Sequence, residues 1–89
     1  MDLRAYLNAK RKINRINGII NACKSRLEKN DADLAKALRE NETESHPMPK
    51  SVIMAIAADN RRKYKAQIKE AMAELVMLKS ELKQANSGD

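Results

Sequence analysis

The chain has 89 residues, enough for one small domain, and it combines 43% hydrophobic with 34% charged residues, two Gly, two Pro and no Trp or Phe. This composition is typical of a helical bundle or coiled coil rather than of a disordered tail. The single cysteine excludes an intramolecular disulfide. Neither a signal peptide nor a window of roughly 18 apolar residues is present, so we expect a cytoplasmic protein with no membrane partner.

The first predicted element is a long helix over about residues 3–40. Apolar residues recur from Tyr6 to Leu38 with the alternating three- and four-residue spacing of a heptad, which places them on one stripe of an α-helix. Asp2 is suited to cap the first turn. Gly18 falls at an outward position and does not shift the repeat, so we expect the helix to continue through it.

The second predicted element follows a loop at about residues 41–48, because Pro47 and Pro49 cannot continue a helix. A matching seam that begins at Met54 then predicts a helix over about residues 49–86. Two helices of similar length joined by a short loop predict an all-α fold: a coiled-coil-like, antiparallel two-helix hairpin that forms a single domain over residues 1–89. In it, residue i faces roughly residue 93 − i.

Apolar residues exceed what one seam can bury. Residues 52–58 are seven consecutive apolar positions, and others lie off the seam of the second helix. This excess predicts a second burial surface, either between copies in a homo-oligomeric helical bundle or in a groove for another protein's helix. The residues that we predict for this oligomer or partner interface are Val52, Ile53, Met54, Ile56, Met72 and Val76.

Basic and amide side chains recur at helical spacing on both helices. Convergent cations are what phosphate recognition needs, although a solvated face produces the same pattern. The net charge of +6 also alternates along the chain, so the charged blocks either form two basic surfaces or neutralise each other on folding. The predicted ligand-binding residues are Arg4, Asn8, Arg11 and Arg15 on one face of the first helix, Asn14, Asn17 and Asn21 on its flank, and Arg62, Lys65 and Lys69 on the second helix.

Signs of catalysis or metal binding are absent from the sequence. There is no P-loop, dinucleotide fingerprint or HExxH motif, and His46 stands alone in the loop. Cys23 occupies a seam position and is expected to be a small buried hydrophobe. The sequence therefore predicts no enzyme, no metal and no cofactor.

The stretch AYLNAKRKINRI, residues 5–16, resembles the starts of small helical proteins carried by phages and mobile elements, some of which are late-transcription regulators. The resemblance implies a phage setting, in which the partner would be nucleic acid, a signalling nucleotide sequestered from host defence, or a host protein. We therefore expect a non-catalytic binding protein whose helical oligomer takes a phosphate-bearing or acidic partner. The alternative is a protein–protein adaptor or inhibitor that engages its partner through the apolar surface of residues 52–58.

Overall fold

The computed structural model of the chain describes residues 2–87, with side chains to Ala85; Met1, Gly88 and Asp89 lie outside this range. Two helices, α1 (Leu3–Glu42) and α2 (Lys50–Ser87), pack along each other, and no strand occurs in the described residues. The molecule measures 70 × 16 × 12 Å, as expected for helices of about 60 Å at 1.5 Å per residue. The predicted all-α helical hairpin is confirmed.

The ends of α1 are held by side chains. Asp2 is the N-cap, and its Oδ1 accepts a hydrogen bond of 2.7 Å from the backbone N–H of Ala5, as predicted. At the other end the helix continues two residues past the predicted boundary, and the backbone N–H and hydroxyl of Thr43 both donate to the carbonyl of Glu40. These bonds satisfy backbone groups that have no partner within the helix.

Asn41, which the sequence places in the loop, lies in the last turn of α1 and is buried. Its Nδ2 donates to the carbonyl oxygen of Met48 and its Oδ1 accepts from the Met48 backbone N–H, both at 2.8 Å. One side chain therefore spans the loop of residues 43–49 and brings α2 back against α1. Pro49 then accepts from the backbone N–H groups of Val52 and Ile53, so it precedes the helix rather than forming its first residue.

The core is a narrow seam. Ile16, Ile20 and Ala71 form its buried centre, with Ile68 and Leu75 packed against them. The small alanine side chain meets two isoleucines, so the helices approach closely there. The remaining buried or packing residues are Ile13, Cys23 and Ala57, together with Leu78.

Polar contacts across the seam show its register. The thiol of Cys23 donates to Oε1 of Gln67 at 3.3 Å, and the Asn30 amide donates to the Ala57 carbonyl at 3.0 Å and accepts from Asn60 at 3.3 Å. Residue i of α1 thus faces about residue 90 − i of α2, close to the sequence-based value. These groups all find partners on the other helix, so a shift in register would break these hydrogen bonds.

The start of the α2 seam differs from the prediction. Met54 is 55% exposed, whereas Ile53 is half-buried and takes its place against α1. The cause is the rotation of α2 that places Asn60 opposite Asn30. At the far end of the rod Tyr6 is 39% exposed, although it begins the predicted seam of α1.

Gly18 provides a test of helix continuity. It lies inside α1, and a Cβ added there would meet nothing within 4 Å. Gly18→Ala is therefore expected to raise the free energy of unfolding by about 1 kcal/mol, since alanine is the better helix former. The measurement is urea unfolding followed by circular dichroism at fixed protein concentration. The exposed Ala22→Gly should lose a similar amount, and a destabilised Gly18→Ala would indicate a bend at this step.

Asn41 provides a test of the loop. Asn41→Ala removes both hydrogen bonds to Met48 and leaves two backbone groups unpaired, so we expect a loss of about 2 kcal/mol in the free energy of unfolding. The matched control is Asn14→Ala, because Asn14 is exposed on α1. Equal effects of the two substitutions in urea unfolding would show that the loop contact contributes nothing.

Candidate functional site

The seam divides the hairpin surface into two sides. In an antiparallel pair of helices, the residues that follow core positions project to one side from both helices, and the residues that precede core positions project to the other. Asp31 and Arg61 hydrogen bond on the first side, with both carboxylate oxygens 2.8 Å from Nη1. On the second side Asp33 and Ile56 line one groove together. The observed contacts therefore agree with this assignment.

The half of the hairpin that contains the two chain ends carries an excess of positive charge. Residues 2–26 and 64–87 contain eleven Lys or Arg and four Asp or Glu, whereas residues 27–63 contain seven of each. Folding therefore neutralises the loop half and leaves the other half with a net charge of +7. The charged blocks therefore neutralise each other in the loop half and leave a basic surface in the half with the chain ends.

On the first side of this charged half, α1 and α2 together present six lysines and no acidic residue. We call this surface the lysine face. The acidic residues of the same half of α2, Glu70, Glu74 and Glu81, all precede core positions and project to the other side. The lysine face consists of Lys10, Asn14, Asn17, Asn21 and Lys24 of α1 and Lys65, Lys69, Met72, Val76, Lys79 and Lys83 of α2, all of them exposed.

Lysines face each other across the seam at two levels of the lysine face. The contact of Ala71 with Ile16 and Ile20 sets the register, which brings Lys10 opposite Lys79. By the same register, Lys24 lies opposite Lys65 about 21 Å further along the hairpin at 1.5 Å per residue. Asn17 and Met72 lie between the two levels.

None of the lysine-face cations has a partner within the described residues. The ion pairs among the described residues join Lys36 to Glu40, Arg61 to Asp31 and Arg62 to Asp59. All three pairs lie in the loop half of the hairpin. Six cationic donors and the three amides of the lysine face are therefore free to contact a ligand.

The sequence-predicted ligand residues fall on different surfaces. Asn14, Asn17, Asn21, Lys65 and Lys69 share the lysine face, by the rule that each follows a core position. The others lie elsewhere. Arg4, Asn8 and Arg11 line an open groove of about 430 Å³ on the outer surface of α1, together with Leu3 and Leu7. Arg15 precedes a core position and projects toward the second side, and Arg62 is paired with Asp59.

Lys10, Lys24, Lys79 and Lys83 are lysine-face residues that the sequence-based selection missed. On a single helix nothing distinguishes them from a solvated face: Lys10 precedes Arg11 and Lys12 directly, and Lys79 and Lys83 are one turn apart. The signal is their common heptad position combined with an antiparallel register, because only the pairing of the helices brings them together.

The six predicted interface residues also divide between the two sides. Ile53 and Ile56 line an open cavity of about 270 Å³ between the helices, and Val52 lies one turn before Ile56. We call this cavity the loop-end groove; its lining combines the apolar Leu34, Ala37, Ile53, Ile56 and Ala57 with the polar Asn30, Asp33 and Asn60. Met54, Met72 and Val76 follow core positions and project to the opposite side of the hairpin.

No protein-family model, curated protein or solved structure matches this chain. Within residues 2–87, neither helix has a stretch that is both long and apolar enough to cross a membrane. In the same range, no three His, Cys, Asp or Glu side chains gather as a metal site would require. The arrangement of the residues in the hairpin is therefore what indicates a function.

The facing lysines predict a measurable repulsion across the seam. Lys24→Glu and Lys65→Glu each replace a like-charge pair by an opposite-charge pair, whereas the double variant restores repulsion. The double-mutant cycle should therefore give a coupling free energy of about 0.3–1 kcal/mol in urea unfolding at low salt.

The control cycle pairs Lys24→Glu with Lys83→Glu, which lies on the same face but several helical turns away. Its two effects should add. A Lys24 and Lys65 cycle that is also additive would show that these side chains do not face each other.

Proposed function

We propose that this protein is a non-catalytic, self-associating helical protein that binds the phosphate backbone of nucleic acid through the lysine face. The observation that carries the proposal is the pair of lysine–lysine positions across the seam, Lys10 with Lys79 and Lys24 with Lys65, on a surface whose first acidic residue, Glu28, lies one turn beyond Lys24. At such a surface, cations of both helices attract the same anion.

The energetics favour a ligand over a purely structural role. Like charges that face each other in neighbouring helices destabilise the pair, so these lysines weaken the isolated hairpin. An anion between them turns the repulsion into two attractive, charge-assisted contacts, and phosphate offers several acceptor oxygens for lysine ammonium groups. Binding of an anion between these lysines should therefore stabilise the hairpin.

The spacing favours an extended ligand. The two lysine pairs are about 21 Å apart, and nucleic acid strands carry a charge roughly every 3.4 Å of helix axis, so a strand can reach both pairs while a mononucleotide reaches one. Between the pairs, Asn17 offers amide donors and acceptors and the 52%-exposed Met72 offers an apolar surface. The sugars and base edges of a bound strand can contact these uncharged side chains.

The second candidate function is an adaptor or inhibitor that engages a partner protein through the apolar surface of residues 52–58. The loop-end groove favours it, because Ile53 and Ile56 leave an open apolar cavity beside them. Salt dependence separates the two functions, since phosphate contacts weaken steeply with ionic strength and apolar contacts do not. The phage setting, with its anti-defence role against a host nucleotide signal, stays a prediction.

The test compares two charge-matched double variants in binding to fluorescent oligonucleotides of about 20 nucleotides. Lys24→Gln with Lys65→Gln removes one level of the lysine face. Arg4→Gln with Arg11→Gln removes the same charge from the outer surface of α1. We expect the lysine variant to lose at least about tenfold in affinity and to lower the slope of log K against log salt by about 1.5, because two phosphate contacts disappear.

The arginine variant should bind nearly as well as the wild type. Equal losses in both variants would mean that only net charge matters, and unchanged binding by the lysine variant would exclude the lysine face. A mononucleotide that binds as tightly as the oligonucleotide would replace the proposed ligand by a small nucleotide.

A further inference from the structure

The hairpin exposes more surface than a compact chain of its size. Its accessible surface is 7074 Å², whereas a compact protein of 10.1 kDa exposes about 5,300 Å². The difference of about 1,800 Å² exceeds the roughly 800 Å² that one partner buries in a stable interface of standard size. One side of a narrow rod can therefore supply a complete interface.

The side opposite the lysine face carries both charges and apolar groups, and we call it the mixed face. In the half with the two chain ends its α1 edge is basic and its α2 edge is acidic, whereas Asp33 of α1 and Lys63 of α2 carry the opposite signs in the loop half. Ile19 and Met77 are 46% and 64% exposed on it, and the loop-end groove lies at its far end. The edge residues are Lys12, Arg15 and Arg26 on α1 and Glu70, Glu74 and Glu81 on α2.

We infer that the mixed face docks a second copy of this chain, with the two hairpins parallel and α1 of each copy against α2 of the other. The product is a four-helix bundle with two lysine faces on its outer surfaces. This inference deepens the self-association in the proposed function and does not depend on the phosphate ligand.

Charge complementarity sets the orientation. A twofold axis along the hairpin brings residues at the same level together, so Arg15 of one copy meets Glu74 of the second copy, since the register places these residues at nearly equal levels. The reverse orientation would set α1 against α1, and Arg15 would lose its contact with Glu74.

The apolar groups point to the same arrangement. When equal levels meet, the loop-end groove of one copy faces that of the other, and Ile56, 55% exposed, is covered by apolar walls. The lysine face cannot serve as the contact between copies, because its six lysines would face six more. A second copy therefore fits the mixed face and is repelled from the opposite one.

The first experiment measures mass by light scattering without nucleic acid. The wild type should have twice the 10.1 kDa mass of one chain. Ile56→Glu should shift it toward the single-chain mass, whereas Met54→Glu should not, although both residues are 55% exposed and lie in the same turn of α2. A wild type with the single-chain mass, or equal effects of both variants, would overturn the inference.

The second experiment does not depend on the stability of a single variant. Arg15→Glu alone and Glu74→Arg alone should each dimerise at least about tenfold more weakly than the wild type, because each places like charges at both symmetry-related contacts. Mixing the two variants should restore the wild-type dimer as a heterodimer, in which both contacts again join opposite charges. A mixture that associates no better than the separate variants would exclude the parallel arrangement.

The two proposals fail separately. A single-chain mass together with oligonucleotide binding that is lost in the Lys24 and Lys65 variant would overturn the mixed-face contact alone. A dimer that dissociates in Ile56→Glu but binds no oligonucleotide would overturn the lysine-face ligand alone. A partner protein that binds the wild type as a single chain through Ile56 would replace the second copy as the occupant.

Discussion

The contact of Ala71 with Ile16 and Ile20 is the constraint on which the rest of the hairpin depends. A small side chain between two branched ones allows close approach at one register only, and a shift by one residue would turn every neighbouring group by about 100°. The pairing of Cys23 with Gln67 and of Asn30 with Asn60 then follows from this register. So does the division of the surface into two sides of different chemistry.

Much of the fold could be predicted because its signals are local. Heptad spacing identified the seam of α1, the Asp2 cap identified its start, and the prolines identified the break before α2. Met54 was misplaced because a run of seven apolar residues satisfies several helical phases, and only contact with α1 selects Ile53. Asn41 was assigned to the loop because nothing local reveals that its amide would meet Met48.

The candidate site was less accessible from sequence for a related reason. The asparagines and two of the lysines belong to simple spacings on single helices, so the sequence alone offers them as candidates, although it does not show that the two helices bring them to one face. Arg4 and Arg11 follow an equally regular spacing but project from the outer surface of α1. Facing lysines exist only as a relation between helices, so their proximity depends on tertiary register and not on any pattern within one segment.

The spacing of the two lysine levels also has a directional consequence. From Lys10 to Lys24 there are fourteen residues, which is close to four full turns of an α-helix, so the two side chains leave the rod in nearly the same direction. Because α1 is one unbroken helix of 40 residues, the helix backbone alone holds both side chains in this direction. A polymer whose charges repeat along a straight line can touch both levels without bending, and a tightly curved one cannot.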